Sequence, residues 1–313
     1  MAARYLIIGG SGFVGKHLYA ALGQANAIAT YRKRQFSGGI AFDVGSMRLT
    51  DTALKQHHDL THAFILHGVT AIDTCARDPA GTARINVTGT QRVIDDLVEH
   101  GITPVFASSD AVFDGSRGLW TEDDVTNPVL TYGQQKREVE NYLLARTQKM
   151  LILRLSKVVG TRPGENYMLD DWPSKLEAGE TIRCARDQVL SPISVDDAVE
   201  AFVRLAEASV GIFHVSGPEP VTRLSFLEAF IEETSRFRKV QARVIPRNLR
   251  DLQRDLNWVE PRPLNASMSP RKLSAVLGHG FDDFRTLCRK AAAARYAGRG
   301  RTENPGQQYK YVR

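Results

Sequence analysis

The chain opens on a short apolar run and then a helical repeat. Tyr5 to Ile8 are branched or aromatic, and beyond a glycine-bearing turn Phe13, Val14, His17, Leu18 and Leu22 recur at helical spacing. The first pattern predicts a buried strand and the second a helix with one apolar face. The alternation continues. "AIATY", "HAFILHG", "TPVFASS" and "MLILRLS" read as further strands, separated by helical candidates near residues 46–56, 79–100 and 129–147. Such alternation predicts an α/β fold, a parallel sheet with helices on both faces that takes its ligands at the carboxyl ends of the strands.

After Ser156 the pattern weakens. "GTRPGENYMLDDWPSKLEAGE" is rich in Gly, Pro and charge, "LSPISVDDAVEAFVRLAE" and "GIFHVSG" return to helix and strand, and residues 217–295 read as mostly helical with loops. We expect a nucleotide-binding domain over 1–158, to which about 188–216 returns, and a smaller substrate lobe over 159–295. Residues 296–313 read as a basic, mobile tail, and no internal repeat is found.

Gly9, Gly12 and Gly15 stand three apart between the first strand and its helix. That spacing allows a tight turn, a close ligand and close helix packing, and the bare amides of a helix start favour an anion. We read the loop as the seat of a dinucleotide pyrophosphate, against the plainer reading of an ordinary turn. The second strand ends in "ATYRKRQ", where an acidic residue would grip the ribose 2′-hydroxyl of NADH. Arg32, Lys33 and Arg34 stand there instead and suit a 2′-phosphate, which favours NADPH, with NADH still usable; a solvated basic loop is the alternative. Asp43, in "AFDVGS", is placed to accept from an adenine amino group.

"TPVFASSDAVFDG" leaves Ser108, Ser109 and Asp110 where strand gives way to loop, and "YGQQK" follows at Tyr132 to Lys136. Residues four apart share a helix face, so the ammonium can lower the phenol's pKa and help it move a proton near neutrality. Tyr132 is the one tyrosine of nine with Lys four residues on.

Composition narrows the class. With 313 residues, 42% hydrophobic and 24% charged, the chain is globular. It shows neither an apolar segment of signal length nor a run long enough to span a bilayer, so a cytoplasmic protein without a membrane partner is expected. Cys75, Cys184 and Cys288 are scattered, which suggests neither disulfides nor a metal site. The net charge of +6 is local: residues 285–313 hold eight Lys or Arg and one Glu, leaving 33 basic and 34 acidic residues elsewhere. No nucleic-acid motif accompanies that charge, and nucleic acid is not expected as a partner.

"GGSGFVG", "FDV", "HGVTAIDTCARDPAGTARINVTGT", "SSDAVFDG", "TEDDVTNPVLTYGQQKREVE", "ILRLSKVVG", "DQVLSPISVDDAVEA", "GIFHVSGPEP" and "RPLNASMSPRKL" stand in this order over residues 4–280. In this series the chain resembles the extended short-chain dehydrogenases/reductases, most nearly their dTDP-4-dehydrorhamnose reductase group. The resemblance implies a Rossmann-type doubly wound sheet with a mostly helical substrate lobe, NADPH, and reduction of a 4-keto group on a deoxysugar nucleotide. It implies Tyr132 as proton donor to the ketone and Lys136 as the group that holds the nicotinamide ribose and lowers the Tyr pKa. Ser109, in place of the usual Thr, would hydrogen-bond the substrate oxygen, with Ser108 and Asp110 completing the strand-end loop. Phe13, Val14, Val44, Leu66, His67 and Gly68 would join the nucleotide site, His67 through its backbone, and Lys157, Asn166 and Arg262 would join the sugar nucleotide.

Two positions depart from the family pattern: Ala111 stands for its aromatic and Lys157 for its Trp. A 4,6-dehydratase needs a second acid after Asp110, so dehydration is disfavoured. A 4-epimerase needs the same Tyr and Lys, and a non-catalytic NADP-binding subunit, like the regulatory subunit of methionine adenosyltransferase, also fits; both stay as alternatives. Oligomeric state is open, a homodimer included.

Overall fold

The computed structural model describes residues 4–165, 168–297 and 310–311. In chain order its elements begin with β1 (Tyr5–Ile8), α1 (Phe13–Leu22), β2 (Ala27–Tyr31), β3 (Gly39–Ala41), α2 (Ala53–Gln56), β4 (His62–Ile65), α3 (Ile72–Arg77), α4 (Pro79–Ala83), α5 (Thr90–Glu99) and β5 (Thr103–Ser109). They continue with α6 (Thr131–Arg146), β6 (Leu151–Leu155), β7 (Val158–Val159), α7 (Met168–Glu177), β8 (Thr181–Ala185), β9 (Val189–Leu190), β10 (Ile193–Ser194) and α8 (Val195–Ala208). The last are β11 (Gly211–Val215), β12 (Val221–Thr222), α9 (Arg223–Ser235), β13 (Arg243–Arg247), α10 (Leu249–Asp255), α11 (Arg271–Leu277), α12 (Phe284–Tyr296) and β14 (Lys310–Tyr311). The chain divides into two compact units, one of Met1–Asp114, Glu122–Leu155 and Val199–Val215, the other of Gly115–Thr121, Ser156–Ala198 and Ser216–Arg313.

The first unit holds a seven-stranded sheet of order β11-β6-β5-β4-β1-β2-β3, every pair parallel. This is the Rossmann-type doubly wound arrangement. Its strands are mainly apolar because both faces are covered. On one face Leu6, Ile8, Ile65 and Phe106 pack with Val93, Ile94 and Leu97 of α5 and with Val139 and Leu143 of α6. On the other, Phe64 stacks on Phe202 of α8 at 6.0 Å. Burying each such ring contributes about 1.5–3 kcal/mol. The strand order reverses beside β1, so the ends of β1 and β4 flank a crevice, the usual place for a ligand.

Two helical expectations resolve differently. The candidate near 46–56 is a 3₁₀ turn at Leu49–Asp51 followed by the single turn of α2. Thr50, Asp51 and Thr52 are weak helix formers, and too few residues remain for a longer helix. The candidate at 79–100 is helical throughout, but a π-turn at Arg84–Gly89 separates α4 from α5.

The second unit packs Trp172 of α7 edge-on against Phe226 of α9 at 5.4 Å, and α12 covers α9 with Leu287, Cys288, Ala291 and Ala292. It also contains a three-stranded sheet of order β14-β13-β8, where loops and helices were expected. Lys310 and Tyr311, from the segment read as a mobile tail, pair in parallel with Arg243 and Val244 and extend the edge of β13. Residues 298–309, 312 and 313 lie outside the described residues.

Candidate active site

Two features of the first unit carry chemistry. One is a cleft of about 220 Å³ at the carboxyl ends of β1, β2 and β4. Gly9, Gly12, Arg32, Val44, Leu66, His67 and Gly68, all expected at the nucleotide, line it, as does Thr30. Phe13, Val14, Gly15, Lys33 and Asp43 lie outside this lining. Gly9 adopts φ +96°, and a Cβ there would come within 2.8 Å of the His67 amide. A Cβ on Gly15 would stand 2.3 Å from the Gly9 carbonyl, so α1 sits on the turn only because Gly15 has no side chain. Gly12 caps α1 without a side-chain hydrogen bond, and the first turn holds no acid. These are the conditions under which a helix start accepts a phosphate. Thr30 accepts the Gly9 amide at 3.1 Å and fixes the turn to β2. Asp43 accepts the Gly45 amide at 2.9 Å, which closes a turn of its own.

The second feature is the end of β5 with the start of α6. Ser109 caps the 3₁₀ turn Asp110–Val112, accepting the Ala111 amide at 3.1 Å while its hydroxyl donates to Asp110 Oδ1 at 3.0 Å. A Cβ on Gly133 would stand 2.0 Å from the Ala111 carbonyl oxygen, so α6 is seated directly on that turn. Tyr132 and Ser109 are therefore delivered by two elements in backbone contact. Lys136, 7% exposed, donates to the Ala107 carbonyl at 2.7 Å and lies 5.7 Å from the centre of the Tyr132 ring. Burial lowers its pKa to about 8, against a smaller upward pull from Glu140 and Cys75. At neutral pH the ammonium is thus charged, close to an aromatic face, and suited to favour the ionised phenol.

Ser108 is 2% exposed and its hydroxyl has no hydrogen-bond partner among the described residues. His67 Nε2 meets Thr90 Oγ1 at 3.0 Å, while its buried Nδ1 has no hydrogen-bond partner among the described residues. Burial first, and then the Lys136 charge, push the His67 pKa down to about 3, so the ring is neutral.

Residues not singled out from the sequence brace these features. Asn86, in the π-turn, accepts the Val69 amide at 2.7 Å and donates to the Val69 carbonyl at 2.9 Å and to Gln135 at 2.7 Å. Gln135 in turn donates to Thr82 at 2.9 Å. The loop after β4, the π-turn and α6 are thereby held together by a satisfied buried network, which rigidifies what it joins. A polar Gln inside "YGQQK", at a position that faces the core, was the available signal.

Lys157 and Arg262 belong to the second unit. Arg262 lies 4.9 Å over the Trp258 ring and donates to the Glu260 carbonyl at 3.2 Å, and the Lys157 carbonyl accepts the Ile193 amide at 3.1 Å. Asn166 lies outside the described residues. Among the described residues no cluster of His, Cys, Asp or Glu could hold a metal ion, and no helix is long and apolar enough to cross a membrane.

A family model described as the RmlD substrate binding domain matches residues 3–296. The chain belongs to that family. The chain is 24% identical over 217 residues to the dTDP-4-dehydrorhamnose reductase of Aggregatibacter actinomycetemcomitans, 67% of this chain and 72% of that one. It is also 25% identical over 235 residues to the methionine adenosyltransferase 2 subunit beta of Rattus norvegicus, 70% of this chain and 69% of that one. A solved structure described as a hypothetical dTDP-4-dehydrorhamnose reductase from Sulfolobus tokodaii superposes with a TM-score of 0.78 at 26% identity, over 90% of this chain and 98% of that one. The RmlD relationship thus spans both units.

Proposed function

We propose that this protein is an NADPH-dependent reductase of the 4-keto group of a deoxysugar nucleotide, of the dTDP-4-dehydrorhamnose reductase kind. The observation that carries the reading is a charged, buried Lys136 fixed on β5 beside Tyr132, in the same unit as a glycine-built cleft bordered by Arg32. The relationship to the Aggregatibacter reductase supports it.

The residues present fit a dinucleotide. The turn from Gly9 to Gly15 leaves room for a pyrophosphate at an uncapped helix start, and Arg32 offers a guanidinium that can bind two oxygens of a 2′-phosphate. Ser108 Oγ is a buried hydroxyl with no hydrogen-bond partner among the described residues, so it is able to bond a bound group. When bound, NADPH supplies hydride. Tyr132 then gives its phenolic proton to the ketone oxygen as negative charge builds there, and Ser109 is the second donor to that oxygen. To act so, the Ser109 hydroxyl turns from Asp110 while still accepting the Ala111 amide. Lys136 stabilises the phenolate that remains. Arg262 and Lys157 are proposed, from the resemblance, for the sugar nucleotide. The three cysteines are buried and form no disulfide among the described residues, which supports work in a reducing compartment, the cytoplasm.

The relationship to the rat subunit favours a second reading, dinucleotide binding without turnover. One experiment separates the two. A panel of 4-keto-deoxysugar nucleotides is offered with NADPH while the absorbance of the reduced nicotinamide is followed. Oxidation with at least one of them supports the reductase; tight NADPH binding with no oxidation on any supports the second reading.

A further inference from the structure

Behind the lysine lies a charge pair that the reaction as described does not use. Glu140 follows Lys136 by one turn on the same face of α6, and its carboxylate is 2% exposed. Arg154, 4% exposed, grips both of its oxygens, Nε at 3.1 and 3.3 Å and Nη2 at 2.8 Å. Arg154 interrupts the apolar run of β6 and pairs in register with Ser108 of β5. Its far side is closed by the Phe113 ring at 5.2 Å and by His214 Nε2 at 3.4 Å.

As a stability device this pair is poor. Two charges taken from water recover little more than their desolvation cost, and well-packed apolar residues of the same volume do as well or better. Electrostatics offers a better reason for it. Burial alone drives a lysine toward its neutral form, and of the groups that bear on Lys136, His67 on the loop after β4 is neutral, Cys75 on α3 is a buried thiol, and Tyr132 presents its ring. Glu140 is the anion among them. Arg154, by occupying both carboxylate oxygens, prevents Glu140 from swinging up to capture the ammonium, which instead rests on the Ala107 carbonyl.

We propose that Glu140, clamped by Arg154, is a positioning residue that keeps Lys136 charged and on β5, where it serves Tyr132. This rests on the reductase reading above, so one measurement is chosen that needs no turnover: titration of the Lys136 ε-carbon by ¹³C NMR in lysine-labelled protein, assigned with Lys136→Met. Three variants accompany the parent: Glu140→Gln, Glu140→Asp, and the double variant Glu140→Gln with Arg154→Met, which removes both members of the pair so that neither is left buried without the other. Folding of each is checked by circular dichroism.

In the double variant the Lys136 titration should fall by about one pH unit or more, and the alkaline limb of the reductase pH profile should fall with it. Glu140→Asp, which keeps the carboxylate, should hold both near their parent values. A double variant whose Lys136 titrates as in the parent overturns the proposal, even where reductase activity is present. So does equal displacement in Glu140→Asp and Glu140→Gln, which marks a structural pair only. Should the double variant not fold, the comparison of these two singles decides. A shifted Lys136 titration in a protein that reduces no keto sugar would leave the positioning role standing and overturn the reductase reading instead.

Discussion

The carbonyl oxygen of Ala111 occupies the space in which a Gly133 side chain would begin, 2.0 Å from an ideal Cβ. Gly133→Ala must therefore lift α6 from the turn that carries Ser109 and Asp110, and Tyr132 moves with it. Overpacking of this kind costs about 1–3 kcal/mol, to be read from urea unfolding. Turnover should fall at least as steeply as stability, and a parent-like kcat in a folded Gly133→Ala protein would show that this seating does not set the geometry.

Tyr132→Phe keeps the ring beside Lys136 and removes only the transferable proton. Turnover should drop by roughly 10²–10⁴ while the dissociation constant for NADPH stays near the parent value. Reduction at the parent rate would assign the proton to another donor.

Arg32 borders the cleft and Lys33 does not, so the two should differ. Arg32→Ala should weaken NADPH by about 1.5–3 kcal/mol through the lost charge-assisted contact and leave NADH nearly unchanged, whereas Lys33→Ala should do much less. Fluorescence titration of both cofactors against parent and variants checks this, and equal affinity of the parent for NADPH and NADH would refute the 2′-phosphate assignment.

His67 links stability to acid. Its pKa is about 3 in the folded chain against 6.5 for the free side chain, so between these values the unfolded chain binds a proton that the native ring refuses. Stability is therefore whole above about 6.5 and declines as the pH falls toward 3. His67→Gln should show the loss of the Thr90 contact as a constant offset, with a shallower decline in the urea midpoint below pH 6 than the parent. Parallel curves would mean that His67 protonates with no penalty.

Much of this was legible because the relevant patterns are short-range. The glycine spacing from Gly9 to Gly15, the strand end at Ser109 and the Tyr132–Lys136 spacing each depend on residues within one turn or one helix, and the structure places all three in one unit. What escaped depends on partners far apart in the chain. Nothing near Arg154 in "LILRL" marks it as the counter-ion of Glu140, and nothing near Asn86 marks its bond to Gln135. β13 escaped for a different reason: "RVIPR" carries charge at both ends and a proline within, and it forms a strand because β8 supplies a partner in register.

The π-turn at Arg84–Gly89 has one more consequence, for the kinds of sequence change this chain can absorb. A π-turn is a helical segment carrying a surplus residue, so excising one residue there would return it to ordinary α-helical register at little local cost. Each residue of an α-helix turns the next by about 100°, and everything on one side of the cut would rotate by that amount relative to the other. Asn86 would leave Val69 and Gln135, or Thr90 would leave His67. Point substitutions along α5 can be judged by size and polarity, but a one-residue deletion at 84–89 should yield a protein that folds and has lost either the Asn86 bonds to the cleft loop and α6 or the Thr90 bond to His67.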